Sequence, residues 1–171
     1  MITTFEKLPD DARLWVFAAS DPITGERASQ LLRTVDEWLA EWKAHGEPLT
    51  VGREWRDDRF LAIGVDQSTA GASGCSIDAL FRILQSLQAQ LGTSLVGGGR
   101  VFYRNRDGEI TASTRNAFND RAVAGDVDAD TIVFDTTVTS GADYRRGFER
   151  RAGDSWHREL LPVSSGSEFG V

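Results

Sequence analysis

Residues 49–66, LTVGREWRDDRFLAIGVD, decide how this chain folds. Leu49, Val51 and Trp55 alternate with Thr50, Gly52 and Glu54, the period of a half-buried strand, and RFLAIGVD (59–66) follows after a short charged turn. The stretch therefore predicts a β-hairpin. Working outward, RLWVFAAS (13–20) is a compact apolar run that suits a buried strand. Between them, Leu31, Leu32, Val35, Trp38, Leu39 and Trp42 recur at three- and four-residue intervals. That spacing predicts a helix over 25–45, with Thr24 as N-cap and Gly46 as its stop. Beyond the hairpin, Ile77, Leu80, Phe81, Leu84, Leu87 and Leu91 mark a second amphipathic helix from Ser76 to about Gly92, and RVFYR (100–104) reads as a fourth strand.

Strand, helix, strand, strand, helix, strand is the order of a split βαβ, ferredoxin-like sandwich: an α+β fold with an antiparallel sheet and both helices on one face, over residues 10–104. Another two-layer α/β sandwich uses the same elements. From 105 the character changes to a small α+β extension over 105–162. RDGE (106–109) signals a turn, STRNAFNDRAVAG (113–125) fits a helix capped by Ser113 and stopped by Gly125, and TIVFD (131–135) is a strand. Phe118, Val123, Val127, Ile132 and Phe134 are its expected inward positions, and the tail 163–171 is expected to be disordered.

The 171 residues include 40% hydrophobic types, enough for a real core, and carry a net charge of −7. That balance argues against nucleic-acid partners, which are held by clustered Lys and Arg. YRRGFERR (144–151) is a local exception, read as a solvated helix face bearing Arg145, Arg146, Arg150 and Arg151. The first residues lack a basic, then apolar, leader, and no run approaches the length of a membrane span, so no membrane partner and a cytoplasmic location are expected. One cysteine agrees with a reducing compartment. With two histidines beside it, the ligand supply is too small for the usual zinc spacings, so no metal and no cofactor are expected.

STAGASGCSIDALFRIL (68–84) holds that cysteine, Cys75, at a helix start. In the split βαβ topology the C-terminal end of the first helix lies at the same edge, which makes His45 the residue to pair with it. A helix N-terminus favours a thiolate and a helix C-terminus favours an imidazolium, so Cys75 as nucleophile, His45 as base and Asp66 as orienting carboxylate form one reading. Ser73, Gly74, Ser76 and Asp78 could bind an anionic ligand there through backbone amides and side chains. The competing reading makes Ser73 and Ser76 ordinary cap residues, Asp78 a first-turn acid and Cys75 a packing residue at a small-residue turn, and it is preferred. GASG is followed by no lysine and matches no nucleotide fingerprint, and VGGGR (96–100) comes after a helix, the reverse of a P-loop. DSWH (154–157) offers Asp, Ser and His in sequence, read as a packed Trp156 beside an exposed His157.

AHGEPL (44–49), ASGCSID (72–78), TIVFD and DSWH, in this order, resemble a family of small bacterial proteins often labelled "ABC transporter ATPase", over roughly residues 13–161. No Walker A motif is present, so ATP hydrolysis is not carried over. Residues 102–138, FYRNRDGEITASTRNAFNDRAVAGDVDADTIVFDTTV, are similar to the GYF-like peptide-binding module. That resemblance implies an aromatic platform for proline-rich peptides on Phe102, Tyr103 and Trp156. The expected function is a noncatalytic binding or protein-interaction module with a protein or peptide partner of unknown identity. The alternative is a small enzyme using Cys75.

Overall fold

The computed structural model describes residues 1–163, so the expectation for the tail lies outside the described residues except at Val163. In chain order the elements are β1 (Arg13–Ala18), α1 (Gly25–Ala40), β2 (Lys43–Ala44), β3 (Glu47–Pro48), β4 (Thr50–Arg56), β5 (Phe60–Asp66) and α2 (Gly74–Leu91). They are followed by β6 (Arg100–Arg104), β7 (Ile110–Thr114), α3 (Arg115–Val123), β8 (Ile132–Phe134), α4 (Gly141–Gly147) and β9 (Glu149–Arg151). The mixture of helices and antiparallel sheets is α+β, as expected. Among the described residues no helix is long and apolar enough to cross a membrane. The chain divides into two compact units: Met1–Gly97 with Thr136–Arg146, and Gly98–Asp135 with the chain from Gly147 on.

The first unit is built on the sheet β1-β5-β4, antiparallel throughout. The predicted hairpin is β4 and β5, in register from Thr50↔Asp66 to Arg56↔Phe60. Its turn holds Asp57 and Asp58 at positive φ, the left-handed geometry that matches strand twist in a tight hairpin. Leu61, Ile63 and Val65 alternate onto the face that also buries Leu31, Val35 and Leu39 of α1 and Leu80, Leu84, Leu87 and Leu91 of α2. Each such side chain contributes roughly 1.5–3 kcal/mol by leaving water. The opposite face carries Gly52 and Gly64, which are direct partners across β4 and β5. Over them lies the N-terminal turn Phe5–Lys7 with Leu8. The same unit includes α4, whose Tyr144 ring meets Phe5 edge-on at 5.4 Å.

Both ends of α1 depart from the expected helix. The α1 helix ends at Ala40 rather than 45, because Trp42 turns into the core and donates its indole N–H to Ser76 O at 3.0 Å. His45 and Gly46 then form a tight turn at positive φ between β2 and β3, so His45 is not at a helix terminus. The apolar period that suggested a longer helix continues through Trp42 by tertiary packing alone. Thr24 occupies the N-cap position of α1 but makes no side-chain capping bond.

The strand 100–104 does not join β1, β4 and β5. As β6 it pairs with β7 and β8 in a second sheet, β7-β6-β8-β9. The short Asn105–Gly108 turn explains this, since Gly108 N–H and Glu109 O close on Asn105 and make β7 the nearest partner. Phe118, Val127 and Phe134 are buried as expected, while Ile132 is half-buried and Val123, 69% exposed, faces solvent. The α3 helix is capped by Thr114, whose Oγ1 accepts from Ala117 N–H at 3.0 Å, rather than by Ser113. The arginines of 144–151 do not form one solvated helix face. Arg145 binds Asp10 in the first unit, whereas Arg151 of β9 binds Asp130 and Asp154 in the second.

Candidate binding groove

Cys75 is exposed in the first turn of α2, not packed. The polar groups beside it serve the helix end. Ser73 Oγ accepts from Ser76 N–H at 3.2 Å, Ser73 N–H donates to Ser76 Oγ at 2.8 Å, and the Ser76 hydroxyl donates to Ser73 O. This reciprocal capping box satisfies amides that an anion would otherwise need. Gly74 and Asp78 are exposed on the same turn. Asp66, at the end of β5, accepts from Ser68 N–H at 3.0 Å, and that bond, followed by one from the Ser68 hydroxyl, holds its carboxyl below the ordinary value. The Trp42–Ser76 bond does bring the segment after α1 to the start of α2. His45 is exposed in its own turn, and among the described residues no hydrogen bond or ion pair joins Cys75, His45 and Asp66.

The three GYF-like platform positions lie in the second unit. Phe102 and Tyr103 are 3% and 2% exposed on opposite faces of β6, and Tyr103 packs edge-on against Phe118 at 5.2 Å. Trp156 is half-buried, stacked on His157 at 4.0 Å, with the Arg115 guanidinium 4.9 Å from its ring centroid. His157, expected to be exposed, is 1% exposed. Its Nδ1 lies 2.7 Å from Ser155 Oγ, and burial pushes its pKa down to about 4 against the opposing pull of Asp135. Ser155 is buried as well, so this hydroxyl–imidazole pair is closed to a substrate and acts as a packing link. A smaller hollow of about 240 Å³ opens between the β6–β7 turn and the end of α3, lined by Tyr103, Arg106, Arg121 and Asp126 among others. Among the described residues no group of three or more His, Cys, Asp or Glu side chains is placed to hold a metal.

A larger concavity runs along the first unit. One cleft of about 410 Å³ is lined by Phe5, Glu6, Glu54, Arg56, Tyr144 and Arg145. Another of about 560 Å³ adds Thr3, Thr4, Asp36, Arg53 and Trp55 while sharing Phe5, Glu6 and Glu54. The two therefore meet along one groove between the N-terminal turn and β4. Its geometry follows from the sequence. A Cβ on Gly52 would stand 3.0 Å from Phe5 Cα and 3.1 Å from Thr3 O, so only glycine lets the backbone cross the sheet there. The Tyr144 hydroxyl donates to Glu54, and burial, then the Glu54 bond and charge, push its pKa well above the ordinary value, keeping it a donor. Arg53 forks onto Asp36 of α1 through two bonds of 2.8 Å, which fixes the far wall.

In the sequence none of these groove residues was read as part of a site: Trp55 and Glu54 entered only as strand positions and Arg145 only as a solvated helix charge. The available signal was the pair of glycines inside two otherwise regular strands, since glycine in a strand marks a close approach by another backbone or side chain. No family model, no curated protein and no solved structure matches the chain.

Proposed function

We propose that this protein is a noncatalytic protein-interaction module and that the groove between the N-terminal turn and β4 is its binding surface. The observation that carries the reading is the junction of the two clefts at Phe5, Glu6 and Glu54. It provides an extended surface with aromatic, charged and backbone groups together, the mixture that protein interfaces use. The lone cysteine supports a cytoplasmic setting. The GYF-like reading of the second unit draws support from its strand–helix–strand order, with Trp156 as its least buried platform residue. A photo-crosslinking residue at Glu6, compared with one at the exposed Gln85 of α2, tests the groove in living cells. The reading requires a discrete adduct from position 6 that is absent from position 85. Equal or absent labelling refutes it.

A cysteine-dependent enzyme remains the second reading, favoured by one observation: the Cys75 thiol is open to solvent at the start of α2. It lacks an assembled base, since His45 sits in a separate turn.

A further inference from the structure

The outer edge of β4 is only partly occupied. Val51 N–H donates to Met1 O at 2.9 Å, and Thr3 N–H donates to Val51 O at 2.7 Å, so the N-terminal residues pair in parallel with the strand at this point. The chain then leaves the edge, crossing above Gly52 as the turn Phe5–Lys7 begins. Backbone groups alternate in direction along a strand, so Arg53 and Trp55 present their N–H and C=O to the same side as Val51. The sheet partner of β4 is β5 on its other side, and among the described residues no backbone group bonds Arg53 or Trp55 on the open side. An open edge of this kind is a template for another strand.

The 560 Å³ cleft lies along these residues, walled by Asp36 of α1 and by Thr3–Glu6. We infer that this edge binds an extended segment of a partner protein by strand addition, and that the segment alternates cationic and apolar side chains. The alternation follows from the two walls. Glu6 and Glu54 line the groove on the side of the N-terminal turn, and Glu6 has no ion-pair or hydrogen-bond partner among the described residues. In the 560 Å³ cleft Asp36 is already matched by Arg53, so Glu6 and Glu54 leave its lining net negative, which calls for Lys or Arg on that face of the incoming strand. On the other face the segment meets Trp55, which packs partly against the core beneath the helices, and there an apolar residue fits. Main-chain bonds to Arg53 and Trp55 would supply affinity and the alternating side chains selectivity.

This inference rests on the groove being a binding surface, and the test separates the two. The probe is a capped octapeptide of alternating Lys and Val, added to the 171-residue chain while amide hydrogen exchange and chemical shifts are followed by NMR. Strand addition slows exchange at the Arg53 and Trp55 amides by about tenfold or more. Gly52 and Glu54, whose amides point to β5, stay unchanged. A fully N-methylated copy of equal charge and a Glu–Val peptide lose the effect, and Glu6→Gln weakens binding about threefold to tenfold. Shifts confined to Phe5, Tyr144 and Arg145, without slowed exchange at Arg53 and Trp55, overturn strand addition but leave the groove as a binding surface. Equal binding of the N-methylated copy likewise overturns strand addition. No perturbation anywhere along the groove by the millimolar range removes both.

Discussion

Gly52 and Gly64 face each other across β4 and β5, and each keeps a different part of the N-terminal segment against the sheet. At Gly52 the missing Cβ makes room for backbone, at Phe5 and Thr3. At Gly64 it makes room for side chains, with Leu8 Cδ1 2.5 Å and Leu14 Cδ2 2.8 Å from where it would stand. Gly52→Ala should therefore destabilise the protein by ~1–3 kcal/mol in urea unfolding, because backbone must move. Gly64→Ala should do the same but be partly rescued by Leu8→Ala, which vacates the space. Additive losses in the double variant would show that Leu8 is not what the glycine accommodates.

Burial of His157 gives the second unit a pH dependence. In the folded chain the imidazole titrates at about 4, against ~6.5 when unfolded. Between those values the unfolded state binds a proton that the folded state does not, so stability is full above pH ~6.5 and is lost as pH falls toward 4. The loss over that window should be ~2–3 kcal/mol, and it should be missing from His157→Gln. Urea midpoints at pH 7 and pH 4.5 for both proteins measure it. A parallel fall in the variant would assign the effect to carboxylates.

Cys75 should react with Ellman's reagent in the folded protein without denaturant, since its side chain is exposed. His45→Ala should leave the rate unchanged, as the two residues share no bond. Cys75→Ser should shift stability by less than about 0.5 kcal/mol, the range of ordinary surface changes. A rate that drops severalfold in His45→Ala would instead move the enzyme reading ahead.

Removing the capping box should be felt on α2. Ser73→Ala loses the acceptor for Ser76 N–H and should cost about 1 kcal/mol. Ser73→Asp keeps an acceptor and should recover most of that, as read by thermal unfolding.

The elements with strong period were legible in the sequence. The hairpin and the apolar stripes of α1 and α2 follow from alternation and from the recurrence of Leu31, Val35, Leu39 and of Leu80, Leu84, Leu87. What escaped was set by tertiary placement. Trp42 satisfies the helical spacing while standing beyond the helix, and the positive φ of His45 is a turn choice that an apolar pattern cannot report. The sheet joined by 100–104 depends on which partner closes the shorter loop, whereas element order admits both. His157 reads as polar, yet a neutral imidazole bonded to a hydroxyl is buried at reduced cost, and that neighbour is visible only in space. The groove was hidden for a related reason, because unpaired main-chain groups carry no residue type.

Residues Thr136–Arg146 belong to the first unit although they interrupt the second in sequence. During synthesis, then, the first unit stays unfinished until Tyr144 has left the ribosome, some fifty residues after the end of α2. Meanwhile β8 waits for β9, which follows only at Glu149. α4 docks on the loop 9–12, where Gly141 N–H reaches Ala12 O at 3.0 Å and Ala142 N–H reaches Asp10 O at 2.9 Å, so the first unit receives its last element just before β9 emerges. The two units are thus tied in time as well as in sequence. Neither can be cut out as an uninterrupted fragment, and an amber truncation before Gly141 should leave both halves of the chain open to proteases.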